Sequence, residues 1–205
     1  PSPAAAEVTA AAGSFLVFCT SAALVLLATV DAIDGVPTLS EARRALPAVL
    51  LQPATSHALL SSARAVVGAT AGFHASRAWD CAHHGQRRAT EGVIRALSLV
   101  CVASGLAKDK YLVALAAAHL CEGHSLLLRV RALRLDSGRP FGQLLWALLW
   151  ASFFALRLAP HVLLLLLFGA PPLASLPAQN RAWAVLQGAL SAPSLALAIV
   201  GLASG

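Results

Sequence analysis

The chain has 205 residues, of which 58% are hydrophobic and only 12% charged, with a mean hydropathy of +0.74. A soluble domain carries about 25% charged residues, so this balance excludes an ordinary soluble enzyme and expects an all-α, polytopic transmembrane bundle. At roughly 20 residues per span the length allows about six spans. The net charge is +6, but many of the arginines flank apolar runs. That suits anchoring at anionic headgroups and gives no soluble basic surface for nucleic acid.

In chain order, residues 1–12 read as a loose, small-residue terminus. Residues 13–30 (GSFLVFCTSAALVLLATV) form a first span, ended by Asp31, Asp34, Gly35 and Pro37. Residues 38–45 suit a short interfacial helix capped by Ser40, with Arg43 and Arg44 toward headgroups. Pro47 and Pro53 break the next stretch. The second span, 58–81, carries Gly68 and Gly72 in a GxxxG spacing that admits a close neighbouring helix. Its end is polar, with Arg77, Asp80 and His84 on one face and Gly85 as a stop. The third span, 90–107, begins with Glu91 and Arg95 at i, i+4. A turn at 108–110 leads to the fourth, 111–133. The fifth, 142–169, holds Arg157 and is interrupted by Pro160, which is expected to kink or unwind it. The sixth, 179–202, is interrupted by Pro193. Two units result: an N-terminal segment, 1–57, and a helical membrane domain, 58–205. With six spans both termini share one side, and seven basic residues against five favour the cytosolic or matrix side.

The stretch 111–131, YLVALAAAHLCEGHSLLLRVR, concentrates the chemistry. At the helical period Leu115, His119, Glu122, Leu126 and Arg129 fall within about 80° of one another, while His124 points away. Ionisable groups on a membrane helix cost roughly 2.5–3.5 kcal/mol each, so they turn to a protein interior or cavity. The face therefore reads either as a ligand site or as a polar lock between helices. Arg157, in FFALRLAPH, lies near the middle of a long span and needs an acid; Glu122 is the expected partner, with Asp80 the other acid near a span interior. Arg129, Arg131, Arg134 and Arg139 form the strongest basic cluster, expected to bind headgroups.

The histidines admit three chemistries. His119-x-x-Glu122 has the spacing of a carboxylate-bridged metal site, but the further carboxylates it needs are scarce. His74, His84, His119 and His161 sit on three different spans, so axial haem pairs are conceivable, though no spacing demands haem. His83 and His84 suit a general base for acyl transfer, or alternatively a helix C-terminus at the membrane surface. No metal and no cofactor are expected. The four cysteines form no CxxC pair and read as packing residues.

The order of these motifs resembles the TLC domain, the fold shared by translocation-associated membrane proteins, ceramide synthases and the neuronal-lipofuscinosis membrane protein. The matching segments are GFHASRAWD, then His83-His84, then CEGHSLLLR, then FFALRLAP, within a resemblance running from about Ala58 to Leu202. It implies a membrane bundle around a cavity that receives phospholipid or sphingolipid. By matched position His83 and His84 stand for the paired histidines, Glu122 and Ser125 for the acidic/serine segment, and Arg157 for the arginine of the aromatic span. The ceramide synthase branch has a His-Asp-x-x-Asp run where this chain reads His119-Leu-Cys-Glu122. The expectation is therefore the non-synthase branch: a non-catalytic, lipid-binding protein acting in lipid handling or as an accessory subunit among other membrane subunits. The alternative is a lipid acyltransferase using His83, His84 and Glu122. The resemblance implies the endoplasmic reticulum. The mitochondrial inner membrane is the other address, since a removed presequence would suit a chain that begins at Pro1 and holds no methionine.

Overall fold

A computed structural model describes residues 3–34, 50, 57–83, 89–109, 111–136 and 142–169. The expected interfacial helix at 38–45, the sixth span, His84 and Arg139 lie outside the described residues. Within them the chain is all-helical: α1 (Pro3–Ile33), α2 (His57–His83), α3 (Ala89–Lys108), α4 (Leu112–Ala118), α5 (Cys121–Asp136), α6 (Gln143–Ser152), a π-helical segment (Phe153–Leu158) and α7 (Ala159–Gly169).

The first helix starts ten residues earlier than the apolar run suggests. PAAAEVTAAAG is rich in alanine, the strongest helix former, and Pro3 suits a first helical position. Its buried residues, Ala10, Ser14, Val17, Ser21, Leu24 and Ala28, recur at alternating spacings of four and three and make one seam. The other faces expose Phe15, Leu16, Leu26, Leu27, Val30 and Ile33. The second helix repeats the pattern with Leu59, Ala63, Val67, Thr70, His74, Arg77 and Cys81. Helix α1 packs on α2, α4 and α5, α2 packs on α3, and the segment from α6 to α7 lies against α5 and α4.

Among the described residues two stretches, Ala5–Ile33 and Gln143–Leu164, are long and apolar enough to cross a membrane, with mean hydropathies of 2.2 and 1.6. The stretch read as one fourth span is two helices. Tyr111 is left-handed (φ 59°), α4 runs for only seven residues, and the helix breaks at His119 and Leu120 before α5 begins. Residues Leu112 to Ala117 are all buried. The main core gathers around them, with Leu24, Ala63, Val67 and Val102. Being apolar on every side, α4 has no face to give to solvent or lipid.

The close approaches also differ from expectation. Among the described residues nothing stands within 4 Å of a side chain added at Gly68 or Gly72. The tight contacts fall instead at Gly13, where a Cβ would meet the Phe73 ring at 2.6 Å, and at Gly123, where it would meet Leu156 and Phe18 at 2.8 Å. Pro160 acts as its chemistry predicts. It has no N–H for the carbonyl of Leu156, and the turn before it widens into the π-helical segment.

Candidate functional site: a cavity lined by ion pairs

A cavity of about 360 Å³ lies among α1, α3, α4, α5 and the π-helical segment. Of the face anticipated on 111–131, Leu115, His119, Glu122 and Arg129 line it and Leu126 does not; Ser125 and Arg157 line it as well. His124 is directed elsewhere, toward Ser152 and the Phe153 ring.

Glu122 is 3% exposed and both its carboxylate oxygens are used. Oε1 accepts from Arg95 Nη1 at 2.5 Å, and Oε2 accepts from Ser14 Oγ at 2.8 Å. The partner expected for it was Arg157, and the structure corrects this: Arg95, on the facing helix α3, makes the ion pair, while Arg157 lines the same cavity from the π-helical segment. A carboxylate out of water needs a charge partner and further hydrogen bonds, and the combination of Arg95 and Ser14 supplies both.

The imidazoles form a directed chain. His119 Nδ1 lies 2.6 Å from the carbonyl oxygen of Leu115. A carbonyl only accepts, so Nδ1 carries the hydrogen and Nε2 of the neutral ring is an acceptor. That Nε2 lies 2.8 Å from His74 Nε2, which must then be the donor. His74 Nδ1 in turn faces Arg95 Nη1 at 3.4 Å. The helix break makes this possible, because His119 closes α4 and its ring folds back on the last turn. His161, also lining the cavity, uses the same device: its Nδ1 donates to the carbonyl of Arg157 at 2.7 Å.

Toward the start of α1 and α3 the charges converge on one atom. Glu91 Oε1 accepts from Arg77 Nη2 at 3.1 Å and Arg129 Nη2 at 3.3 Å, with Arg95 Nε at 3.8 Å. Arg129 Nη1 also donates to Glu7 at 2.9 Å. The expected Glu91–Arg95 pair is thus present as one edge of a larger network. Arg129, assigned to headgroups with its neighbours, is drawn inward instead, because two acids face it from α1 and α3. Arg131 lies over the Trp146 ring at 4.9 Å and Arg134 is exposed.

Asp80 does not line the cavity. It is half-exposed and pairs with Arg77 at 3.4 Å. His83 also lies away from the cavity. It is exposed, its Nδ1 donates to the carbonyl of Trp79 at 2.9 Å, and its ring packs on the Trp79 ring at 4.1 Å. Sequence reasoning missed Ser14 and Glu7, and did not assign Arg95 to Glu122. Ser14 and Ser21 do sit in register with the apolar seam of α1, and that register is the signal that marks them as inward-facing.

No group of three or more metal-ligating side chains occurs among the described residues. Compared with known proteins, the chain matches no family model, no curated protein and no solved structure.

Proposed function

We propose that the chain is an integral membrane protein of about six spans, TLC-like in architecture. It holds a lipid in the cavity between α1, α3, α5 and the π-helical segment. Its role is non-catalytic, in lipid handling or as an accessory subunit of a membrane complex of the endoplasmic reticulum or mitochondrial inner membrane. The observation that carries this reading is a cavity of about 360 Å³ lined by buried charges, inside a helical bundle in which α1, α3 and the segment from α6 to α7 expose large apolar side chains. A volume in the range of roughly 300–1,000 Å³ suits a small organic ligand.

The acyltransferase alternative calls on His83 as half of a paired-histidine base. A general base has to reach its substrate directly or through one water, and His83 is exposed outside the cavity lining. This supports the non-catalytic reading. The test is extraction in a mild detergent, followed by native gel separation and mass spectrometry of protein and lipid. The expected result is a stoichiometric lipid that stays with the chain, whether alone or in a larger complex. A chain that carries no lipid in either form sinks the proposal and leaves the buried charges as a packing lock.

A further inference from the structure

His74 and His119 meet on the cavity wall, ring nitrogen to ring nitrogen, at 2.8 Å. Both are almost wholly buried, at 2% and 8% exposed. Their proton positions are fixed from both ends. At one end the Leu115 carbonyl takes the Nδ1 hydrogen of His119 at 2.6 Å, which leaves His119 Nε2 as an acceptor. At the other, the Arg95 guanidinium, which has no acceptor, faces His74 Nδ1 at 3.4 Å, so His74 carries its hydrogen on Nε2. The two ends agree: the one N–H of His74 points into the one lone pair of His119. All four ring nitrogens are thereby used, and a further proton has no place. On His119 Nε2 it would set two N–H groups against each other at 2.8 Å. On His74 Nδ1 it would face the hydrogens of Arg95.

The surroundings do not supply a partner for that proton. Glu122 of α5 shares Arg95 Nη1 with His74, but its two oxygens are taken by Arg95 and Ser14. Glu91 of α3 and Glu7 of α1 are tied to Arg77 and Arg129. Arg129 and Arg157 bring further positive charge to the wall from α5 and the π-helical segment. His161 of α7 holds its own Nδ1 hydrogen on the Arg157 carbonyl, and Cys101 of α3 and Cys121 of α5 complete the titratable lining.

His74 sits on α2, and His119 closes α4 at its break with α5; α2 and α4 pack on each other. We propose that the His74–His119 contact is an acid-sensitive latch on the cavity wall. It ties α2 to the break between α4 and α5 while both rings are neutral, and lets them part when a proton is added. This device stands whether or not a lipid fills the cavity. Once apart and wet, an imidazole has its ordinary value of about 6.5. The parted state therefore binds more protons than the closed one, so falling pH favours parting and rising pH favours contact. Uptake of one proton on opening shifts the balance about tenfold per pH unit below that value.

The test follows the whole chain, isotope-labelled at the histidine nitrogens, in detergent micelles from about pH 8 to about pH 5, the range in which histidine changes charge. Imidazole nitrogen shifts report tautomer and charge. Amide hydrogen exchange, corrected for its intrinsic pH dependence, reports the contact at residues 112–123, with residues 20–28 of α1 as the internal reference. The expected result at the upper end is an Nδ1–H tautomer at His119 and an Nε2–H tautomer at His74. On acidification both rings become cationic, and exchange at 112–123 rises over the reference by about tenfold per pH unit below about pH 6.5. His57→Gln, at the exposed start of α2, should leave that rise unchanged. His74→Gln combined with His119→Gln keeps an amide donor and an amide acceptor across the gap but cannot take a proton, and should abolish the rise. Opposite tautomers, protonation of either ring with 112–123 still protected, or rings that stay neutral with no rise through the whole range each overturn the latch. So does a rise that persists in the double variant. The unaltered chain delivers the first three of these outcomes, so the latch stays falsifiable even where the double variant fails to fold.

Discussion

Arg95 and Glu122 close on each other at 2.5 Å from two different helices, and His74 and Ser14 complete the contact from two more. Four helices thus meet at one ion pair that is almost wholly buried. Removing one member leaves the other charged, buried and unpaired, so Arg95→Gln or Glu122→Gln should each destabilise the protein by roughly 3–5 kcal/mol. The double substitution should cost clearly less than the sum, because it leaves no orphaned charge. Thermal unfolding in detergent checks this, and additive losses would show that the two side chains do not act as a pair.

The glycines give a second, sharper contrast. Gly13→Ala and Gly123→Ala place a methyl group against the Phe73 ring and against Leu156 and Phe18, and should cost about 1–3 kcal/mol each through overpacking. Gly68→Ala and Gly72→Ala meet nothing within 4 Å among the described residues and should be neutral or stabilising by up to about 1 kcal/mol, the helix-propensity difference. Melting temperatures of the four variants should therefore split into two pairs. The reverse split would mean that the GxxxG face, not Gly13 and Gly123, carries the close packing.

At the turn between α3 and α4, Arg64 grips Asp109 with two bonds, of 2.7 and 2.5 Å. The hydrogen bond from Arg64 holds the Asp109 carboxyl below its ordinary range. A carboxylate depressed in the folded state stabilises above its unfolded pKa, about 3.9, and that contribution fades as pH falls through the lower folded value. Both groups are exposed, so the effect should be modest and weakened by salt. Asp109→Asn should flatten the acid limb of the stability–pH curve at low salt. An unchanged limb would show that the clasp contributes nothing.

Ser152→Ala addresses a different pair. Ser152 Oγ donates to the carbonyl of Leu149 at 2.8 Å and accepts from His124 Nδ1 at 3.0 Å. His124 is fully buried, and its Nε2 has no partner among the described residues. Loss of the serine hydroxyl strands the remaining ring N–H and should cost about 1–3 kcal/mol. A thermal shift smaller than that of a surface serine substitution would count against the bond.

The periodicity of 111–131 was enough to place Leu115, His119, Glu122 and Arg129 on one face and to turn His124 away, because side-chain direction along a helix follows from a fixed angle per residue. It survives the break at His119 because the interruption is short. The His119 carbonyl accepts from the Glu122 amide at 3.0 Å, and that of Leu120 from Gly123 at 3.1 Å. What the sequence leaves open is which helix faces which. Arg95 and Arg157 each interrupt an apolar run, and only the tertiary arrangement, which sets Arg95 of α3 against Glu122 of α5, decides that Arg95 takes Glu122. The same holds for the glycines, whose spacing marks where a neighbour can approach and not where one does. Pro160 was legible for the opposite reason: its missing N–H acts within its own helix and needs no partner.

The contact between Ser14 and Glu122 spans 108 residues, and that between Arg95 and Glu122 only 27. During synthesis the arginine therefore emerges shortly before its acid, while the serine has left the ribosome long before either. The ion pair can therefore close within one hairpin of α3, α4 and α5 before the serine joins it. The seven-residue α4, with no outward face, is the bend of that hairpin. The first helix is made before that hairpin, and its hydroxyl completes a carboxylate whose guanidinium lies nearby in the chain.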